Sequence, residues 1–370
     1  MQIVTSFHPA IAPRNDQPAD DKAGSHEADY RSLPSAAERL TQPVVFRSGG
    51  LNARLQEIGT ALKAFYLPSI AIPFDPASGK GLREYFNERL AENVKTEQAL
   101  RTVLGKVEAS KVQGHLLEAE IHKLAGLALP ASPETLQWMN ETLKISGDLP
   151  QAPEDIPTAL YPVSDSADFF KQLLAMIGFI KGEYLAIYEE LLTKYSDFFR
   201  EFNETIMAKM GEWITGGDDG KEVTVSFKLR AALTALRNKY QRAPDGVLYP
   251  TSDRGSATQK EAQKWAKALG LPDSCVQPDG NGGYRVMMDL SPLDAMIAEA
   301  PLFGATWDTA KFQAWQTGFN SLEGDLKNQL QLFTTKYGNA NSYHENFNKI
   351  LSSQLSQYAE MLKAIASGIG

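Results

Sequence analysis

Cysteine is nearly absent from the chain: Cys275 is its only thiol, so no disulfide framework can staple the fold. A lone cysteine following a turn is expected to be a small, buried packing residue. Histidine is scarce too. His8, His26, His115, His122 and His344 form no pair at i+3 or i+4 and no Cys/His cluster, so neither a metal nor a cofactor is expected. Long apolar runs are missing. The densest, Phe169–Ile180, is broken by Lys171, Gln172 and Gly178, whereas a bilayer-crossing helix needs roughly 20 apolar residues. Positive charge is in deficit, with 37 Lys and Arg against 45 Asp and Glu and a formal net charge of -8, the wrong sign for an electrostatic nucleic-acid binder. Met1–Ala12 has no basic start and is cut by His8-Pro9, so no signal peptide is expected. The protein should be cytoplasmic, or exported without a hydrophobic leader.

Catalytic motifs fail the same test. Gly216–Lys221 lacks the first glycine of a phosphate loop, has Glu222 where Ser or Thr is required, and follows a helical pattern. Asp218-Asp219 has no acidic residue at the twelfth position of a calcium loop. No Gly-x-Ser-x-Gly elbow occurs. Glu118/Glu120 and Glu189-Glu190 read as solvated helix faces. No catalytic residue is expected.

What the chain does have is helical periodicity. Residues 1–45 read as a disordered export tail, rich in Pro, Ser, Asp and Ala. Leu51, Leu55, Ile58, Leu62 and Phe65 form a helical stripe that Pro68, Pro73 and Pro76 stop. A second stripe runs through Leu82, Phe86, Leu90, Leu100, Leu104, Val107, Leu117, Ile121 and Leu124. The two suggest a helical hairpin over 46–145, with a further short helix after Ser132-Pro133. Pro150, Pro153, Pro157 and Pro162 mark 146–164 as a linker.

The strongest signal follows. Phe170, Leu173, Ile177, Ile180, Tyr184, Ile187 and Leu191 alternate steps of three and four, a heptad seam. After an extra step of four it resumes at Tyr195, Phe198, Phe202 and Ile206. One helix is predicted from Ser166 to Ile214, roughly 70 Å long, within a segment 165–217 that Gly216-Gly217 ends. A matching row occupies 307–367. Phe312, Trp315, Phe319, Leu322 and Leu326 lead through Leu330 to Phe333, Tyr337, Ala340, His344, Phe347 and Leu351, then to Leu355, Tyr358, Leu362 and Ile365. Asp308 is a good cap for it. Two narrow seams most economically bury one another, so the predicted fold is mainly α. It is a long antiparallel intramolecular coiled coil with an N-terminal helical hairpin. His344 falls on the second seam, half-buried or a pH-sensitive weak point.

Between the long helices, 218–306 reads as a small inserted α/β subdomain. Val223, Val225 and Phe227 alternate as a strand. Further strands are predicted at 247–249 and Tyr284–Leu290, and helices at Leu229–Arg242, Thr258–Leu269 and Pro292–Ala300. Asp279–Gly283 reads as a turn.

The last helix also carries Ala310-Lys311-Phe312-Gln313-Ala314-Trp315, Gly318-Phe319, Lys327-Asn328 and Lys336-Tyr337-Gly338-Asn339-Ala340-Asn341-Ser342. Upstream stand Gly211-Glu212-Trp213-Ile214, Leu248-Tyr249-Pro250, Asn281-Gly282-Gly283-Tyr284 and Pro292-Leu293-Asp294-Ala295-Met296. Together these resemble the IpaD/SipD/BipD type III secretion needle-tip proteins over about residues 165–365, with Gly338 where that family usually has Ser. The resemblance implies a virulence protein secreted through the type III apparatus, with no enzymatic activity. It would cap the extracellular needle as an oligomer of about five copies, gate secretion, and support translocator assembly on host contact. It also implies that the hairpin acts as a built-in chaperone over the coil, and that a bile-salt-like amphiphile is an admissible ligand. The competing expectation is a secreted effector acting inside the host cell, which would need a polar catalytic cluster within 218–305. Opposite the second seam lies a polar stripe, Asn346, Lys349, Ser353, Ser356, Glu360 and Lys363. Asn346, Lys349 and Lys363 are the candidate contacts to helical needle subunits.

Overall fold

The computed structural model describes residues 53–54, 56–58, 60, 74, 81–125, 132–147, 162–217 and 221–368. The expected tail, most of the first stripe and nearly all of the linker lie outside them. In chain order, the helical half opens with α1 (Leu82–Ala125), α2 (Pro133–Gly147), α3 (Ser166–Gly178), a π-helical turn (Phe179–Leu185) and α4 (Ala186–Thr205). A 3-10 turn (Met207–Lys209) and α5 (Met210–Trp213) lead into β1 (Ile214–Gly216), β2 (Glu222–Val225), α6 (Phe227–Tyr240) and β3 (Val247–Tyr249). Then come α7 (Gln259–Ala268), β4 (Val276–Pro278), β5 (Tyr284–Met287), α8 (Ser291–Glu299), β6 (Ala305–Asp308) and α9 (Thr309–Gly368). Among the described residues the protein is thus mainly helical with two three-stranded antiparallel sheets, ordered β1-β2-β6 and β3-β5-β4. It divides into two compact units. One draws on residues 109–176 and 343–370, the other on 57–108 and 177–342.

In the first unit, α2 begins where its sequence says it should. Ser132 Oγ accepts from the Thr135 amide at 3.3 Å, with Pro133 at the first helical position. Asn140 of α2 accepts from the Val163 amide at 2.8 Å, which ties down the buried end of the expected linker. Asp165 caps α3 through the Asp168 amide at 2.8 Å. Trp138 then packs on Phe169 at 5.7 Å.

The long helix predicted over Ser166–Ile214 starts as expected but is not one helix. The π turn interrupts it, Ile206 leaves the α-helical path, and Ile214–Gly216 is a strand, not a helix exit. The narrow seam is also corrected. Tyr184 is only half-buried, whereas α4 buries Ile187, Tyr188, Leu191, Leu192, Tyr195, Phe198, Phe199 and Phe202. Its buried face is wide because it has several partners. Tyr188 meets Trp265 of α7 at 5.5 Å, and Phe198 meets Tyr240 of α6 at 5.0 Å. Tyr195 meets Phe333 of α9 at 5.1 Å and donates to the Leu326 carbonyl at 3.1 Å.

The insert is closed at its root by a sheet whose outer strands had no legible signal. β1 follows the first helical series and β6 precedes α9, with β2 pairing both: Ile214↔Val225 and Val225↔Ala305. Phe227 is not a strand residue. It opens α6, capped by Ser226, and is 54% exposed. The strand expected over Tyr284–Leu290 ends at Met287. Thr258 and Glu261 form a reciprocal capping box on α7. Cys275 ends a 3-10 turn and is buried, and desolvation pushes its thiol up to about 12. Asp308 caps α9 through the Lys311 amide at 2.8 Å.

Phe333→Ala should cost about 3–5 kcal/mol, as for other fully buried aromatics, read as a lowered urea midpoint. Phe303→Ser, at a side chain 88% exposed, should change stability by less than about 0.5 kcal/mol.

Candidate interaction surfaces on the last helix

Helix α9 is buried along two adjacent rows. Phe312, Phe319, Leu326, Phe333, Ala340 and Phe347 recur every seven residues and are all buried. Trp315, Tyr337 and Leu351 are buried beside them, while Leu322 is half-buried. At 343–344 the structure corrects the expected seam. Tyr343 is the buried residue and His344 is half-buried, because steps of three and then four follow Ala340. One position after five of its six members stands a second row: Asn320, Lys327, Thr334, Asn341 and Asn348, also buried. A row of polar residues at a strict spacing of seven was visible in the sequence.

In the second unit this polar row and its neighbours Gln316 and Glu323 meet α1 and the segment before it. The Phe74 amide donates to Gln316 at 2.7 Å, and Asn320 donates to the Tyr85 hydroxyl at 3.1 Å. Arg89 pairs with Glu323, whose side chain is fully buried. Asn93 donates to Glu323 at 2.8 Å and to Asn203 of α4 at 2.9 Å. Lys327 closes the group on Glu323 at 3.0 Å. Since Tyr195 lies beside Leu326 and Phe333 while Asn203 shares Asn93 with Glu323, α4 and α9 run in opposite directions. Residues 82–93 thus take part in the second unit's core.

Burial would push the Glu323 carboxyl up, but Lys327, Arg89 and the Asn93 hydrogen bond together hold it below the usual carboxylate range. Lys327 is also lowered, because desolvation outweighs the pull of Glu323 and Arg89 repels it.

The outer stripe is placed in the first unit. Asn346, Lys349, Glu360 and Lys363 are exposed, and Ser353 and Ser356 are half-buried. Lys349 pairs along its own helix with Glu345. In the second unit, a partly open cleft of about 520 Å³ is lined by Phe74, Leu82, Arg83, Ile214, Glu222 and Phe312, among others. It has an apolar floor with one charge of each sign at its rim.

A family model described as type III secretion systems tip complex components matches residues 84–365. The chain belongs to that family. It is 30% identical to Invasin IpaD of Shigella dysenteriae over 282 residues, 73% of this chain and 82% of that protein. It is 38% identical to the cell invasion protein SipD of Salmonella typhi over 215 residues. That match takes in 56% of this chain but only 62% of SipD, so the chain spans about three-fifths of that relative. Translocator protein BipD of Burkholderia thailandensis is 27% identical over 175 residues, 47% of this chain and 50% of that one. Among solved structures, the pathogenicity island 1 effector protein of Chromobacterium violaceum is similar at a TM-score of 0.60 and 25% identity. It covers 84% of this chain and 98% of its own. The family is one of tip-complex components.

The charged group has a signed pH consequence. Glu323 has a folded pKa below its ordinary 4.5, so its stabilising contribution is complete above about 4.5 and is lost as pH falls through the folded value. Glu323→Gln should lower stability at neutral pH and flatten the acid limb of the stability curve, measured by urea unfolding across pH.

Proposed function

We propose that the protein caps the needle of a type III secretion apparatus as a small oligomer, restrains secretion until host contact, and then supports translocator assembly. Family membership over residues 84–365 carries this reading. In it, the seams Phe170–Leu191 and Phe312–Leu351 bury one another as an antiparallel coiled coil. The opposed course of α4 and α9 past Tyr195 and Asn93 supports that pairing. The insert is held at the root of the coil by the β1-β2-β6 sheet, and the helices of 46–145 cover part of the coil before export. Secretion by the type III route and residence at the extracellular needle tip follow from the same reading. No catalytic step is assigned to the chain. Its partners are needle subunits, a translocator and copies of itself.

The needle contact is assigned to Asn346, Lys349 and Lys363. Exposure of all three on one side of α9 supports it, and two lysines in a chain of net charge -8 favour an acidic partner surface. Charge reversal at Lys349 and Lys363 together should weaken binding to purified needle subunits by at least about tenfold with an unchanged circular dichroism spectrum. Unchanged affinity would remove both lysines from the contact. Fractionation of secreting bacteria tests the wider reading, which requires the protein on assembled needles in an export-dependent way. Recovery from the host cytosol alone would favour an effector, as the Chromobacterium relative's designation suggests.

The cleft at Arg83 suits an anionic amphiphile of the bile-salt kind, with its ring system on Phe74, Leu82, Ile214 and Phe312 and its acid group at Arg83. Deoxycholate binding followed by calorimetry should weaken at least about fivefold in Arg83→Ala, the loss expected for one charge-assisted contact.

A further inference from the structure

The polar layer joining α1 to α4 and α9 is an unusual way to hold a helix. The apolar face of α1 is represented by Phe86, Leu100, Val103 and Val107, and between these Asn93 and Thr96 interrupt it, both buried. The layer pairs charges from two helices, yet each helix carries its own counter-ion. Arg89 bonds Glu92 at 3.2 Å on α1, and Glu323 bonds Lys327 at 3.0 Å on α9. Arg89 Nε, Asn93 Oδ1 and Asn203 Nδ2 are buried without a hydrogen-bond partner among the described residues. Such a layer fixes register while adding little net holding energy.

We propose that Arg89, Asn93, Asn203, Glu323 and Lys327 form a release latch, which seats residues 82–108 in one register and lets them lift from α4 and α9 without unfolding those helices. On lifting, Arg89 leaves with Glu92 and Glu323 stays with Lys327, so neither side is left with an unpaired buried charge. An all-apolar layer would hold α1 more tightly and would expose a sticky strip once α1 had left. The proposal rests on the reading of 46–145 as a detachable cover and names what holds that cover.

The latch makes Glu323 the residue on which docking turns, because it is bonded directly to both Arg89 and Lys327. Hydrogen–deuterium exchange of the full-length chain tests this by comparing peptides from 82–108 with peptides from 186–205. In the wild type the first set should exchange faster, by opening separately. Glu323→Gln leaves Arg89 and Lys327 buried together and should speed opening of 82–108 by at least about 100-fold, with a smaller effect on 186–205. The layer made apolar (Arg89→Met, Asn93→Leu, Asn203→Leu, Glu323→Leu and Lys327→Met together) should slow 82–108 until it exchanges with 186–205. Should Glu323→Gln fail to fold, the apolar-layer variant decides alone, since it buries no charge. If both regions exchange together in the wild type and in every variant, the cover does not detach and the underlying reading falls. If 82–108 opens separately but at the same rate in wild type and variants, the cover stands and the latch is wrong.

Discussion

The larger unit is organised around the contact that Tyr195 makes with α9. Its ring lies edge-on to Phe333 and its hydroxyl reaches the Leu326 carbonyl, so one fully buried side chain fixes both the height and the rotation of two long helices. A buried tyrosine whose hydroxyl lacked that acceptor would forfeit much of what its ring contributes. With α4 and α9 so placed, Phe198 can receive Tyr240, and Tyr188 can receive Trp265, which seats the insert on α4. On another side Asn203 and Glu323 stand close enough for a single amide, that of Asn93, to bridge them.

Much of this was legible in the sequence, for identifiable reasons. Alternating steps of three and four located the long helical segments because one buried face imposes that spacing whatever lies opposite. Ser132 and Asp308 located helix starts, since a capping side chain acts within three residues and needs no tertiary context. What could not be read depended on partners distant in the chain. β1 and β6 are short, and they are strands because β2 runs between them. The doubling of the buried face on α4, with Leu192 and Phe199 added to the seam, reflects several neighbours arriving at once. Tyr343 and His344 are adjacent aromatic-ring residues, and periodicity alone did not rank them. The polar row from Asn320 to Asn348 was readable in principle and shows that a hydrophobicity count discards half of a helix's packing information.

Outside its core the chain offers a polar outer stripe, a partly open cleft, and a helix held down by hydrogen bonds and ion pairs. The apolar side chains Phe227, Leu302 and Phe303 are exposed on the insert. Gly304, at a φ of 82°, turns the chain beside them where it passes close to the Val225 carbonyl and the Phe227 amide.

The environment of Cys275 has a practical meaning for anyone following this molecule in motion. A thiol that is buried and held far from ionising will ignore maleimides and other alkylating probes while the fold is intact. The native chain is therefore a silent background for spin labels and fluorophores. A cysteine introduced at an exposed site would be the reactive handle, with no need to remove the original thiol first.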